Sequence, residues 1–130
     1  CALPIFMGWR DAAHAETDTE GRMVIAPLSC SLVEKSDNIE LRANTLISRA
    51  YGRDSIEEGY HCSYGIAADF ARELEQGDLR VTGWDDDGEI RAVEMVTHPF
   101  FVATLFQHER NALEGRPAPL VHAFLRAASQ

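Results

Sequence analysis

The stretch His98-Pro99-Phe100-Phe101-Val102-Ala103-Thr104-Leu105-Phe106-Gln107-His108-Glu109-Arg110, "HPFFVATLFQHER", decides how this chain is read. From Phe100 to Phe106 only Thr104 is polar. A short, nearly continuous apolar run is the mark of a central strand buried on both faces. An amide, an imidazole, a carboxylate and a guanidinium follow at once. The reading is a buried strand whose end delivers polar groups to the edge of a site.

Working back from this stretch, "LRVTGW" and "EIRAVEMV" flank "DDDG". Asp87-Gly88 between two strand-like runs signals a hairpin, because glycine tolerates the positive φ of a tight turn. A turn also explains "DDDG" better than cation binding does. Ile66, Ala67, Phe70, Ala71 and Leu74 recur at helical spacing, which predicts a helix over 67–76 ended by Gly77. "EGYHCSYGI" alternates aromatic and small residues and reads as one strand, with Cys62 in its middle. "NTLISRAYG" predicts a helix stopped by Gly52, and "NIELR" has the two-residue period of a half-buried strand. Met23–Ala26 and Cys30–Val33 are short apolar runs on either side of Pro27, consistent with extended segments. Beyond the quoted stretch, Leu120–Ala128 forms a terminal helix with Val121, Phe124 and Leu125 on one side. Strands, a helix, a hairpin, a strand and a closing helix make an α/β layer protein.

At 130 residues the chain can form one domain with a real core, and nothing in it marks an internal boundary. A hydrophobic share of 45% and a charged share of 25% are ordinary for a globular protein. A formal charge of −9 argues against nucleic acid, whose phosphates call for basic patches. No apolar run reaches the ~20 residues of a membrane helix, and no signal-peptide pattern is present. A cytoplasmic location is expected. Cys1, Cys30 and Cys62 are too few and too scattered for a disulfide scaffold or a zinc site. His14, Glu16, His61, Cys62, His98 and His122 show no helical ligand spacing, so no metal is expected. Trp9 and Trp84 read as packing residues.

"HPFFVATLFQHER" resembles the last strand of class I glutamine amidotransferase domains, in particular the glutaminase domain of CTP synthase, with its pattern HPxFVATQFHPE. "SIEEGYHCSYGIAADFARELEQGDLRVTGWDDDGEIRAVEM", "CSLVEKSDNIELRANTLISRAYG" and "PAPLVHAFLRAA" are similar to the segments around that strand. The resemblance covers nearly the whole chain from Gly8. It implies a flavodoxin-like doubly wound α/β sheet, represented here without its N-terminal half. Residues 1–7 are then expected to be a non-native or disordered leader, and 8–130 the C-terminal part of the domain. The family's activity is glutamine hydrolysis, in which a Cys attacks the amide, a His activates the thiol and a Glu orients the His. No cofactor is implied for it. A synthase or another protein partner, and a small ligand such as glutamine or another amide, are.

Three departures qualify that implication. No cysteine of the chain sits in the Gly-x-Cys-x-Gly turn of the family nucleophile. Gln107 stands where the family has its catalytic His, His108 where it has Pro, and Glu109 on the Glu. An amide has no useful basicity near neutral pH and cannot take a thiol proton. His108, one residue on, would point from a strand to the opposite face. Ser63 replaces the arginine that precedes the family's substrate-loop tyrosine, here Tyr64. A hydroxyl cannot make a bidentate contact to a carboxylate. The expectation is a degenerate amidotransferase-like domain lacking ordinary glutaminase activity, with Glu109, Gln107, His108, Ser63 and Tyr64 as candidate site residues. The alternatives are a working amidotransferase of pyrimidine nucleotide synthesis whose Cys lies outside this sequence, or another Cys or Ser hydrolase of the same fold. "AAHAE" (12–16) is expected to form a loop at the mouth of the site.

Overall fold

A computed structural model describes residues 12–14, 22–28 and 31–129. Cys1, Trp9, Glu16, Cys30 and the 1–7 leader lie outside the described residues. A small sheet contains β1 (Ala12–His14), β2 (Arg22–Pro27) and β5 (Tyr64–Ile66), in the order β1-β2-β5. A five-stranded antiparallel sheet is built from β3 (Lys35–Leu41), β4 (Ser55–Tyr60), β6 (Leu79–Asp85), β7 (Ile90–Met95) and β8 (Val102–Thr104). Its strand order is β4-β3-β6-β7-β8. Among the described residues only β1 with β2 pairs in parallel, so the α/β class holds while the five-stranded sheet is antiparallel.

Local signals formed the elements they announced. Ile39 and Leu41 are buried on either side of exposed Glu40. The hairpin β6–β7 turns with Gly88 at φ +79°, and Asp85, the first aspartate of "DDDG", organises it. Its Oδ1 accepts from the backbone N–H of Asp87 and Glu89, while its Oδ2 pairs with buried Arg91 at 2.5 Å. Helix α1 (Leu46–Tyr51) begins at a Thr45–Ser48 capping box and ends at Gly52, φ +68°. Buried Glu94 on β7 accepts the N–H groups of Leu46 and Ile47 at 2.9 and 2.8 Å. A carboxylate there satisfies open donors and faces the positive end of the helix dipole. Trp84 does pack, with the Arg42 guanidinium 5.2 Å from its ring centre.

Four readings need correction. The 67–76 helix is a 3-10 turn (Ala68–Phe70) followed by the four-residue α2 (Ala71–Leu74). Arg80 Nη1 donates to the carbonyls of Glu75, Gly77 and Leu79, closing the segment as a turn. "EGYHCSYGI" is two strands in different sheets, and Cys62 lies in the break between them, its thiol bonded to the Tyr64 carbonyl. Of the Cys30–Val33 run, residues 31–33 form no strand; Leu32 is buried in the core and Val33 begins a turn.

The fourth correction concerns "HPFFVATLF". It supplies only three strand residues, Val102–Thr104, at the end of the sheet's strand order, with Ala103 exposed. The apolar residues are buried in different directions. Phe100, Val102 and Leu105 pack on the cluster of Ile39, Ile47, Tyr60 and Phe106, whereas Phe101 packs on that of Leu74, Leu79, Val81 and Val93. Thr104 Oγ1 donates to the Phe106 carbonyl and turns the chain off the sheet, leaving Phe106 edge-on to Tyr60. The chain continues through α3 (Arg110–Leu113) to the closing helix α4 (Pro119–Ala128). Leu120 anchors α4 in the core, and Val121, Phe124 and Leu125 stay exposed.

Candidate functional site

Three segments converge beside β4. The Gln107 N–H donates to the Gly59 carbonyl at 2.9 Å, fixing 105–110 against the end of that strand. Leu28 and residues 31–34 lie beside 60–63, with the Leu28, Leu32 and Glu34 N–H groups donating to the carbonyls of Ser63, Cys62 and Tyr60. Glu58, buried at 5% exposure, locks this corner from below. It accepts the Tyr51 hydroxyl at 2.7 Å and Asn111 Nδ2 at 3.0 Å on both oxygens, joining α1, β4 and α3. Burial, then the Glu58 carboxylate, pushes the Tyr51 phenol far above its ordinary value, so it acts as a fixed donor.

Gln107 faces a polar cluster. Its Oε1 accepts from Arg110 Nη1 at 3.4 Å, and the same guanidinium reaches Glu34 Oε1 at 3.3 Å. His61 Nδ1 lies 2.9 Å from the same Glu34 oxygen. Arg110 first, then His61, holds the Glu34 carboxyl below the usual carboxylate range. Glu34 sits on left-handed backbone, φ +55°, which a residue bearing a Cβ seldom adopts.

His108 occupies a different place. Its ring stands edge-on to Phe106, centroids 6.5 Å apart, and lines a cavity of about 320 Å³ with Phe100, Phe101, Val102, Leu120 and Phe124. Its Nδ1 is buried and has no hydrogen-bond partner among the described residues. The strand geometry invoked for its direction is absent, since 107 is coil and 108–109 form a turn. Glu109 is exposed and precedes α3 without a side-chain cap. Among the described residues its carboxylate bonds neither Gln107 nor His108. Ser63 Oγ is 3.0 Å from Ser31 Oγ, and Tyr64 is half-buried in β5 opposite Pro27. Gln107 is thus fixed to Gly59 at the end of β4 and Ser63 lies beside Ser31, while among the described residues neither His108 nor Glu109 forms a hydrogen bond with either of them.

Sequence reading missed Arg110, Glu34 and His61. Arg110 was visible beside the motif, but Glu34 is 76 positions away and nothing in its surroundings announces a contact. Among the described residues no group of three or more His, Cys, Asp or Glu is placed to hold a metal ion. Likewise no described helix is long and apolar enough to cross a membrane. The loop expected over 12–16 is corrected in its first part, since Ala12–His14 form strand β1 paired with β2; Glu16 lies outside the described residues.

No family model matches the chain. The CTP synthase of Helicobacter pylori (strain ATCC 700392 / 26695) is 27% identical over 128 residues, covering 98% of this chain and 24% of that protein. The CTP synthase of Methanopyrus kandleri is 32% identical over 95 residues, covering 72% of this chain and 18% of that protein. The chain thus spans about a quarter or less of the length of these curated relatives. Among solved structures, the Trypanosoma brucei CTPS glutaminase domain with bound acivicin superposes with a TM-score of 0.85 at 20% identity, over 97% of this chain and 53% of that one. A GMP synthase-type protein of Thermoplasma acidophilum gives a TM-score of 0.59 at 10% identity, over 81% and 48%. The fold is therefore that of the class I glutamine amidotransferases. In sequence and fold the chain resembles the glutaminase domain of CTP synthase.

Proposed function

We propose that this domain binds an amide-bearing small molecule at the Gln107 corner and does not hydrolyse glutamine by the family's Cys-His-Glu route. The observation that carries the reading is the position of His108. This imidazole, next in sequence to the family's His position, stands against Phe106 and lines the α4 cavity. Gln107, which takes that position, offers an amide held by Arg110. Proton transfer needs a basic nitrogen within reach of the thiol, and an amide supplies none. The acivicin bound by the Trypanosoma brucei domain supports a small molecule as the occupant. Tyr64 and Ser63, on the segment bordering the corner, are the further ligand contacts of this reading, and Glu109 is a vestige of the family pair.

Two measurements on the longest natural form of the protein test this: ammonia release from L-glutamine, and binding of L-glutamine by calorimetry. Binding without release is expected. Rapid release abolished by a thiol-alkylating reagent overturns the reading in favour of a working amidotransferase.

A further inference from the structure

The cavity beside helix α4 is lined by Phe100, Phe101, Phe124, three aliphatic side chains and His108, with no charged residue among them. Leu120 is buried, whereas Val121 and Phe124 are exposed, so the cavity opens to solvent along α4. The Phe100 and Phe124 rings stand 5.8 Å apart, tilted by 59°. Rings set at such angles offer edges and faces to a planar aromatic guest. An apolar lining disfavours a charged guest, because nothing in it replaces the lost water.

His108 is the exception in this lining. Its Nδ1 is shut off from water and has no partner, and neither ring nitrogen makes a hydrogen bond among the described residues. Buried polar atoms are ordinarily paired, and the phenylalanines around this one offer it nothing. A guest that brings one hydroxyl can complete the ring, since a hydroxyl both donates and accepts and so suits either nitrogen. Size narrows the guest further. An apolar cavity of about 150 Å³ holds benzene. This one, at about 320 Å³, has room for a bicyclic ring system. We infer that the α4 cavity is a binding site for a neutral, planar bicyclic aromatic molecule whose single polar group meets the His108 imidazole. The site shares no lining residue with the Gln107 corner and does not depend on the amide reading given above.

The test is fluorescence titration of three probes with the longest natural form of the protein: 2-naphthol, naphthalene, which lacks the hydroxyl, and 2-naphthoate, which adds a charge. Saturable binding of 2-naphthol is expected, at least tenfold tighter than that of 2-naphthoate. His108→Phe is expected to weaken 2-naphthol at least fivefold and to leave naphthalene within twofold, a split that general loss of structure would not produce. Val121→Trp, which fills the cavity from an exposed position, is expected to weaken both at least tenfold with an unchanged far-ultraviolet circular dichroism spectrum. Affinity for 2-naphthol within twofold of normal in either variant overturns the inference. So does an unaltered protein that binds 2-naphthol no more tightly than 2-naphthoate. A cavity filled by a second copy, or by another segment of the protein, leaves 2-naphthol unbound and overturns it as well.

Discussion

The Glu58 carboxylate, near the end of β4, accepts the Tyr51 hydroxyl at 2.7 Å inside the core. That contact, with the Asn111 amide on the other side, is what holds the 105–111 segment in place beneath the candidate site. Glu58→Ala leaves the buried Asn111 amide and the half-buried Tyr51 hydroxyl without an acceptor. Each orphan costs about 1–3 kcal/mol, so a loss of about 2–6 kcal/mol is expected in urea unfolding. Glu58→Gln, which keeps one acceptor oxygen, is expected to lose less. Equal stability of Glu58→Ala and the unaltered chain would remove the network from the account of the fold.

Asp85 and Arg91 are both buried and bonded at 2.5 Å across the hairpin. Arg91→Met alone leaves the Asp85 charge without its partner, and Asp85→Asn alone leaves a buried guanidinium. Breaking one side of such a pair costs about 3–5 kcal/mol, whereas replacing both sides is often near neutral. The double variant is therefore expected to be more stable than either single one. Strictly additive losses in a double-mutant cycle would show that the two charges do not depend on each other.

Neither network left a mark in the sequence, whereas the local devices did. Gly88, Gly52, Thr45 and the alternation of Ile39 and Leu41 act within a few residues, so their chemistry is written where it operates. "HPFFVATLF" announces burial correctly, but apolarity does not say against what. Phe100 and Phe101 are neighbours that enter different clusters, as adjacent residues of a strand buried on both faces do, yet both precede β8 and lie outside the sheet. The site divides in the same way. Gln107 and Ser63 stand out in the sequence only through the family resemblance; the structure fixes the Gln107 backbone to Gly59 and sets Ser63 beside Ser31. Glu34 is brought to Arg110 by the pairing of β3 with β4, a long-range fact with no local trace. The place of His108, in a cavity completed by α4, has no local trace either.

Glu34 titrates below an ordinary glutamate because Arg110 and His61 favour its charged form. A folded-state pKa below the unfolded one contributes stability that is present above the unfolded value and lost as pH falls through the folded value. The contribution is small, since the Glu34 side chain is 64% exposed and solvent screens the pair. The direct measurement is a carbon-detected NMR titration of the Glu34 carboxyl. Its midpoint is expected below that of an ordinary glutamate in the unaltered protein and higher in Arg110→Ala, because the largest cause of the shift is then gone. A midpoint unmoved by Arg110→Ala would mean the two side chains do not meet in solution.

Helix α4 buries Leu120 but leaves Val121, Phe124 and Leu125 at 38%, 52% and 54% exposure, beside the cavity lined by Phe100 and His108. Phe124 also tilts against Phe100 at 5.8 Å, which extends the apolar surface across the cavity mouth. Contiguous exposed apolar surface drives association, because each Å² removed from water returns about 25 cal/mol. The 130-residue chain alone is expected to associate at micromolar concentration. Phe124→Ser with Leu125→Ser is expected to shift light scattering toward the monomer. The double variant leaves Leu120 in place, so its thermal midpoint should change little. Scattering that stays monomeric in the unaltered chain across that range would show that this face is adequately solvated as it stands.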